Sequence, residues 1–180
     1  MSIPKEPPPA KLMVGLLFSD FEIRDRALGN LVAHFGPADF LSEAGPFTYS
    51  TYYDREMGAD ITRQVCGFLD LIHPESLPDV KRLTNQLEIE LSRHGTRQIN
   101  LDPGLLSPER LVLATGKNYT HRIYLRDGIY ADLTLIYQKG AFRKLPWTYP
   151  DYQEPLLLHF LRVLRQKLLF QHQGRLPTKQ

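Results

Sequence analysis

The chain has 180 residues, 42% hydrophobic and 23% charged, the balance of an ordinary folded protein and unlike that of a disordered or membrane one. At this length folding buries roughly 70% of the unfolded surface, so no staple is required, and the single cysteine, Cys66, excludes an intrachain disulfide and a cysteine-based zinc cage. No run approaches the ~20 apolar residues of a membrane span, and a formal charge of +2 is too small to imply a nucleic-acid partner. The expectation is a cytoplasmic protein without a membrane partner and without a metal site.

Met1–Ala10 contains Pro4 and Pro7-Pro8-Pro9, which favours an extended, flexible tail, and residues 11–180 read as one globular domain. Leu12 to Phe18 is a short apolar run bounded by Ser19-Asp20, the pattern of a buried strand. Ser19 with Glu22 forms a capping-box spacing that opens a helix through Ile23, Leu28, Leu31, Val32 and Phe35, and Gly36-Pro37 stops it. Alternating Phe47, Tyr49, Thr51 and Tyr53 predict a second strand, and Ile61 to Ile72 a third, antiparallel to it. Ser76 then caps a helix with Val80, Leu83, Leu87 and Leu91 on one face, which Gly95 ends. A short strand around Ile99 follows.

This strand-helix-strand-strand-helix-strand order predicts an α+β fold with an antiparallel or mixed sheet and a ferredoxin-like βαββαβ core. Strands at Arg110 to Ala114, Tyr119 to Arg126 and Ile129 to Tyr137 extend it as a C-terminal hairpin, and Pro155 to Phe170 forms a last helix. On that helix Leu157, Leu161, Leu164 and Leu168 make the buried stripe, with Arg162, Arg165 and Lys167 outward. From Phe142 onward Arg143, Lys144, Arg162, Arg165, Lys167, Arg175 and Lys179 face only Asp151 and Glu154. That imbalance reads as a solvated helix face, with nucleic acid not excluded as a partner.

No phosphate loop, dinucleotide fingerprint, HExxH or GxSxG is present. The most constrained segment is HRIYLRDGIYADLTL, where Asp127-Gly128 is a favoured two-residue hairpin turn. Counting outward from it pairs Arg126 with Ile129, Leu125 with Tyr130, Tyr124 with Ala131, Ile123 with Asp132, Arg122 with Leu133 and His121 with Thr134. One face then holds His121, Asp132 and Thr134, so His121 and Asp132 are the candidate catalytic base and its orienting carboxylate. Arg122 falls on the opposite face.

Other candidates lie upstream. Lys81, Asn85 and Glu88 fall at i, i+4 and i+7, one polar stripe of the second helix. Arg97, Asn100 and Asp102 occupy RQINLDPG, where Asp102-Pro103-Gly104 is expected to turn the chain, and Lys117 precedes the hairpin. Two aromatic-acidic clusters, Tyr52 to Met57 and Trp147 to Tyr152, read first as half-buried structural positions and second as binding edges.

Taken together, TYYDREMG, KRLTNQLE, RQINLDPG, KNYTHRIYLRDGIYADLTL and WTYPDY resemble the bacterial domain-of-unknown-function family numbered 4416. The resemblance spans nearly the whole chain after the tail and implies a compact bacterial cytoplasmic protein; it carries no catalytic role. The residues themselves point to a small-molecule site, with capacity for proton transfer, for an anionic or phosphorylated ligand held without a phosphate loop by Lys81, Asn85, Glu88, Arg97, Asn100, Asp102, Lys117, Arg122 and Thr134 around His121 and Asp132. The alternative is a protein- or RNA-interaction module built on the aromatic clusters and the basic C-terminal third.

Overall fold

In the computed structural model, which describes residues 1–174, nine strands form one open antiparallel sheet with helices on both faces. Arg175 and Lys179 of the basic stretch lie outside the described residues. The sheet begins with β1 (Ala10–Phe18), which is buried along its whole length, as a near-continuous apolar run requires of a central strand. Its exception, Lys11, is fully enclosed, and its Nζ lies 2.7 Å from Asp39 Oδ2 and from the Phe68 carbonyl oxygen. Burial pulls the Lys11 pKa down against the pull of Asp39.

Helix α1 (Phe21–Phe35) leads to β2 (Ala38–Leu41), β3 (Gly45–Pro46), the single-turn α2 (Asp54–Met57) and β4 (Thr62–Ile72). Helix α3 (Leu77–Glu90), β5 (Ile99–Ser107), β6 (Arg110–Thr115), β7 (Arg122–Arg126), β8 (Ile129–Gln138) and β9 (Ala141–Lys144) follow, and α4 (Pro155–Gln173) comes last. The strand order is β2-β4-β1-β5-β6-β8-β7, with β3 beside β4 and β9 beside β8. Both helical crossovers, β1-α1-β2 and β4-α3-β5, straddle one strand, which is the split βαβ arrangement.

Alternation along β1 sorts the core into two layers. Leu12, Val14, Leu16 and Phe18 meet Ile23, Ala27 and Leu31 of α1 and Val80 and Leu87 of α3. Met13 faces the other way, with Leu106, Leu111 and Leu135, and meets Leu157, Leu161 and Leu164 of α4. Among the described residues no helix is long and apolar enough to cross a membrane.

Several local expectations are corrected. Ala10, grouped with the proline-rich segment from sequence, is the first residue of β1, buried and paired with Ile72. Asp20, not Ser19, caps α1 by accepting from the Glu22 amide at 2.8 Å, while Ser19 Oγ donates to the Met57 carbonyl. Ser76 makes no side-chain cap to α3; its hydroxyl donates to the His73 carbonyl. Helix α3 ends at Glu90, before Gly95, which turns at φ 76° between Arg93 and Thr96.

The second strand is Ala38–Leu41, directly after Gly36-Pro37, and residues 47–53 form a loop. Phe47 and Tyr53 pack there against the small cluster of Leu17, Met57 and Ile61, so their alternation reflects capping of a sheet end and not a strand. Asp102-Pro103-Gly104 does not turn; β5 runs straight through it. Pro103 stands one residue before the β5–β6 ladder begins at Gly104, where a missing amide interrupts no paired residue of β6. Arg165, expected outward, donates to the Pro108 carbonyl at 2.6 Å and lies over the Tyr137 ring.

Candidate functional site

The site arises because β5 and β6 part. Their ladder spans only Gly104 to Ser107, whereas β5 stays paired to β1 back to Ile99 and β6 stays paired to β8 out to Thr115. Residues at the parted end of β5 therefore lack a strand neighbour on one side, and α3 supplies the partners: Glu88 Oε1 accepts from the Leu101 amide at 2.6 Å, and Lys81 Nζ donates to the Leu101 carbonyl at 2.9 Å. The resulting cleft, of about 580 Å³, runs through the opening between the strands, from Lys81, Asn85 and Glu88 of α3 to the α4 face beyond the start of that helix. Gly15, Leu17, Arg63, Asn100, Asp102, Leu113, Thr115 and Asp132 form its floor, and Phe47, Ser50, Tyr52 and Tyr53 lie along its rim.

Most charges in the cleft are paired. Arg63 Nη1 lies 3.1 Å from Asp151 Oδ2, Lys81 Nζ 3.4 Å from Asp102 Oδ1, and Arg122 Nε 2.9 Å from Asp132 Oδ2. Arg97 meets Glu56 at 2.7 Å and Glu88 at 3.6 Å, and its guanidinium lies over the Tyr53 ring. Burial raises the pKa of Glu88 despite Lys81 and Arg97, and raises that of Asp151 despite Arg63. The phenols of Tyr53 and Tyr152 are pushed up by the same desolvation, and both stay neutral hydrogen-bonding groups near neutrality. Asn100 links two of the pairs, accepting from Arg97 Nη1 at 2.9 Å and donating to Asp102 Oδ2 at 2.7 Å.

At the other end of the cleft, the hairpin has the expected turn but not the expected register. Asp127 and Gly128 sit at φ 53° and 75°, the two positive values of a type I′ turn. A bulge at Leu125 then shifts the ladder by one, so that Tyr124 pairs with Tyr130, Ile123 with Ala131 and Arg122 with Asp132. The predicted common strand face of His121, Asp132 and Thr134 does not exist in that form. His121 precedes β7 in a turn; its Nε2 reaches Asp132 Oδ2 at 3.3 Å from behind, and its ring stacks on Trp147 with centroids 4.8 Å apart.

Arg122, expected on the opposite face, is the residue fixed beside Asp132. Besides Asp132 its guanidinium donates to the Lys117 carbonyl at 3.0 Å and to the Tyr149 hydroxyl at 2.9 Å. Burial works against its charge, but Asp132 and Tyr149 outweigh that and leave its pKa raised. The Lys117 amide is held as well, by Thr115 Oγ1 at 3.2 Å, so the loop carrying Lys117 is pinned on both sides of the residue.

Of the residues singled out from the sequence, Lys81, Asn85, Glu88, Arg97, Asn100, Asp102, Lys117, Arg122 and Asp132 line the one cleft. His121 and Thr134 do not. Thr134 is buried, and its hydroxyl donates to the Asp132 carbonyl, which holds the strand rather than facing the cleft. Sequence reasoning missed Arg63 and gave Tyr52, Tyr53, Tyr149, Asp151 and Tyr152 a structural role first, though all line the cleft. A signal for Arg63 was present: it alternates with Val65 and Gly67 on β4, the face that carries the α4 contacts. The described residues hold no cluster of three or more His, Cys, Asp or Glu side chains arranged for a metal ion.

The sequence profile described as "Domain of unknown function (DUF4416)" matches residues 8–168. The chain belongs to this family. No curated protein and no solved structure matches it. Residues 8–168 contain every residue that lines the cleft, from Gly15 to Tyr152, so the cleft lies wholly within the part shared with this family.

Proposed function

We propose that this DUF4416 protein binds a small anionic organic molecule in the cleft between β5 and β6. The observation that carries this reading is the parted sheet: two central strands separate at one end, and the opening gathers five cationic side chains, Arg63, Lys81, Arg97, Lys117 and Arg122, and four tyrosines among four carboxylates and apolar residues such as Leu17 and Leu113. Opening a sheet costs backbone pairing, and the tyrosine and arginine side chains gathered there offer flat faces and fixed donors to a planar anion. Carboxylates with raised pKa, Glu88 and Asp151, stand in the same space and are suited to proton transfer to a bound ligand. Buried Cys66, whose thiol pKa is pushed up to about 12, is unreactive and fits a bacterial cytoplasmic setting.

Native mass spectrometry tests this reading. Protein exposed to a bacterial small-molecule extract should carry an anionic adduct that is lost in Asn85→Leu, a substitution that fills the α3 wall of the cleft. An adduct retained at full strength in Asn85→Leu, or none in the wild-type protein, would sink the proposal.

A second reading, a protein-interaction module, is favoured by one feature. Edge strand β7 leaves Ile123 70% and Tyr124 57% exposed beside an unpaired backbone edge. Concentration-dependent sedimentation of wild-type protein and Tyr124→Lys would detect self-association through it.

A further inference from the structure

We infer that the ligand of this cleft carries one negative charge, a carboxylate or a phosphodiester, and that Lys117 receives it; the inference rests on the cleft being an anion site and adds the charge class. Arg63, Lys81, Arg97 and Arg122 each stand within 4.0 Å of a carboxylate of this chain. Lys117 is the remaining cation of the lining, and its ammonium has no carboxylate partner among the described residues. It rests instead over the ring of Tyr52, 4.6 Å from the centroid. A cation on an aromatic face keeps its full charge and exchanges that weak contact readily for an oxyanion.

The residue is presented by a built support. Arg122 holds the Lys117 carbonyl while itself anchored on Asp132 and Tyr149, and Thr115 holds the Lys117 amide. The phenol rings of Tyr52, under the ammonium, and of Tyr149, held through its hydroxyl by Arg122, line the same cleft and offer flat apolar surface to the body of a ligand whose charged end meets Lys117. A second negative charge has no free cation to meet. It must draw a lysine or arginine from its carboxylate, as Lys81 from Asp102, Arg122 from Asp132, Arg63 from Asp151 or Arg97 from Glu56 and Glu88, and each such exchange leaves a carboxylate uncompensated. The cleft therefore discriminates against dianions by charge balance and not by size.

Ligand-observed NMR titration at about pH 8, where a phosphate monoester is doubly charged, separates the cases with four phenyl probes: benzoate, methyl phenyl phosphate, phenyl phosphate and neutral benzamide. Benzoate or methyl phenyl phosphate should bind wild-type protein at least about tenfold more tightly than phenyl phosphate and benzamide, and whichever binds tighter identifies the oxyanion. Lys117→Gln should lose that preference and Lys117→Arg should keep it. In Asp102→Asn, which releases Lys81, phenyl phosphate should gain at least about tenfold and close the gap. Phenyl phosphate binding wild-type protein as tightly as the monoanions, an unchanged gap in Asp102→Asn, or a preference that survives Lys117→Gln would each overturn the single-charge assignment while leaving an anion site in place. Failure of all three anions to bind better than benzamide would overturn the anion site itself, and this inference with it.

Discussion

One face of the central sheet is built in two ways along the same strands. Toward one end, Met13, Val65, Leu106, Leu111 and Leu135 lie under α4 and are closed by Leu157, Leu161 and Leu164. Toward the other, the same faces of β1, β4, β5 and β8 present Gly15, Leu17, Arg63, Asn100, Asp102 and Asp132 to the cleft. The boundary is the turn Pro150–Gln153, whose Asp151 and Tyr152 are buried and wall the cleft just before α4 begins. Side-chain alternation sets only which face a residue takes; whether that face becomes dry core or charged site depends on where the covering helix starts. The polar half persists because nearly every charge in it has a partner, which is what burial demands of charged groups.

If this division is right, stability lies mainly at the covered end. Leu161 is fully enclosed, and Leu161→Ala should cost about 2–5 kcal/mol of unfolding free energy in denaturant titration. A loss well under ~1 kcal/mol would mean that α4 does not close the core.

Two glycines on β-strands sharpen the same contrast. A methyl group at Gly67 would stand 2.7 Å from Leu164 Cδ2, whereas at Gly15 it would meet the Tyr152 hydroxyl at 3.5 Å, an ordinary contact. Gly67→Ala is expected to cost about 1–3 kcal/mol through overpacking, and Gly15→Ala to stay within about 0.5 kcal/mol. Equal effects in thermal denaturation would erase the distinction between the two ends.

His121 belongs to the wall of the polar end, behind Asp132. Its stack on Trp147 and its contact with Asp132 should make His121→Ala cost on the order of 1 kcal/mol, with ligand affinity changed far less than by Lys117→Gln. Complete loss of binding with unchanged stability would restore His121 to the cleft and contradict its position. Its sequence-based assignment failed for a definite reason: an Asp-Gly turn predicts the first cross-strand pair, and a one-residue bulge at Leu125 redirects every pair beyond it.

Elsewhere the sequence was more informative where periodicity and burial coincide. The run from Leu12 to Phe18, the α1 and α3 stripes and the four leucines of α4 all occupy the predicted elements because β1 is apolar where it is buried on both faces and each helix turns one apolar stripe to the core. Strand β2 was not legible, since Ala38–Leu41 is four residues long and half exposed, and the alternating aromatics of residues 47–53 offered a stronger but false pattern. The cleft was legible as residue types but not as a place. Lys81 and Glu88 reach Leu101 only because β6 leaves β5, an event of strand pairing that no local window contains. Arg63 and Asp151 are 88 residues apart, and their contact is likewise a product of topology.

The smallest expected effect tests whether the polar end is as desolvated as its geometry implies. Burial raises the Glu88 pKa above its ordinary 4.5, with Lys81 and Arg97 opposing but not cancelling the shift. Between the unfolded and folded values the native chain then binds more protons than the unfolded chain, so this group's contribution favours folding at low pH and is lost as pH rises through the folded pKa. Asp151 acts in the same direction from 3.8. Glu88→Gln keeps an acceptor for the Leu101 amide and removes one titration. Measured by denaturant unfolding from about pH 4 to about pH 7, the stability of Glu88→Gln relative to wild type should therefore rise with pH. A difference that is flat or falls over that range would mean that the ion pair with Arg97 outweighs burial, and that the parted end of β5 and β6 is wetter than its lining suggests.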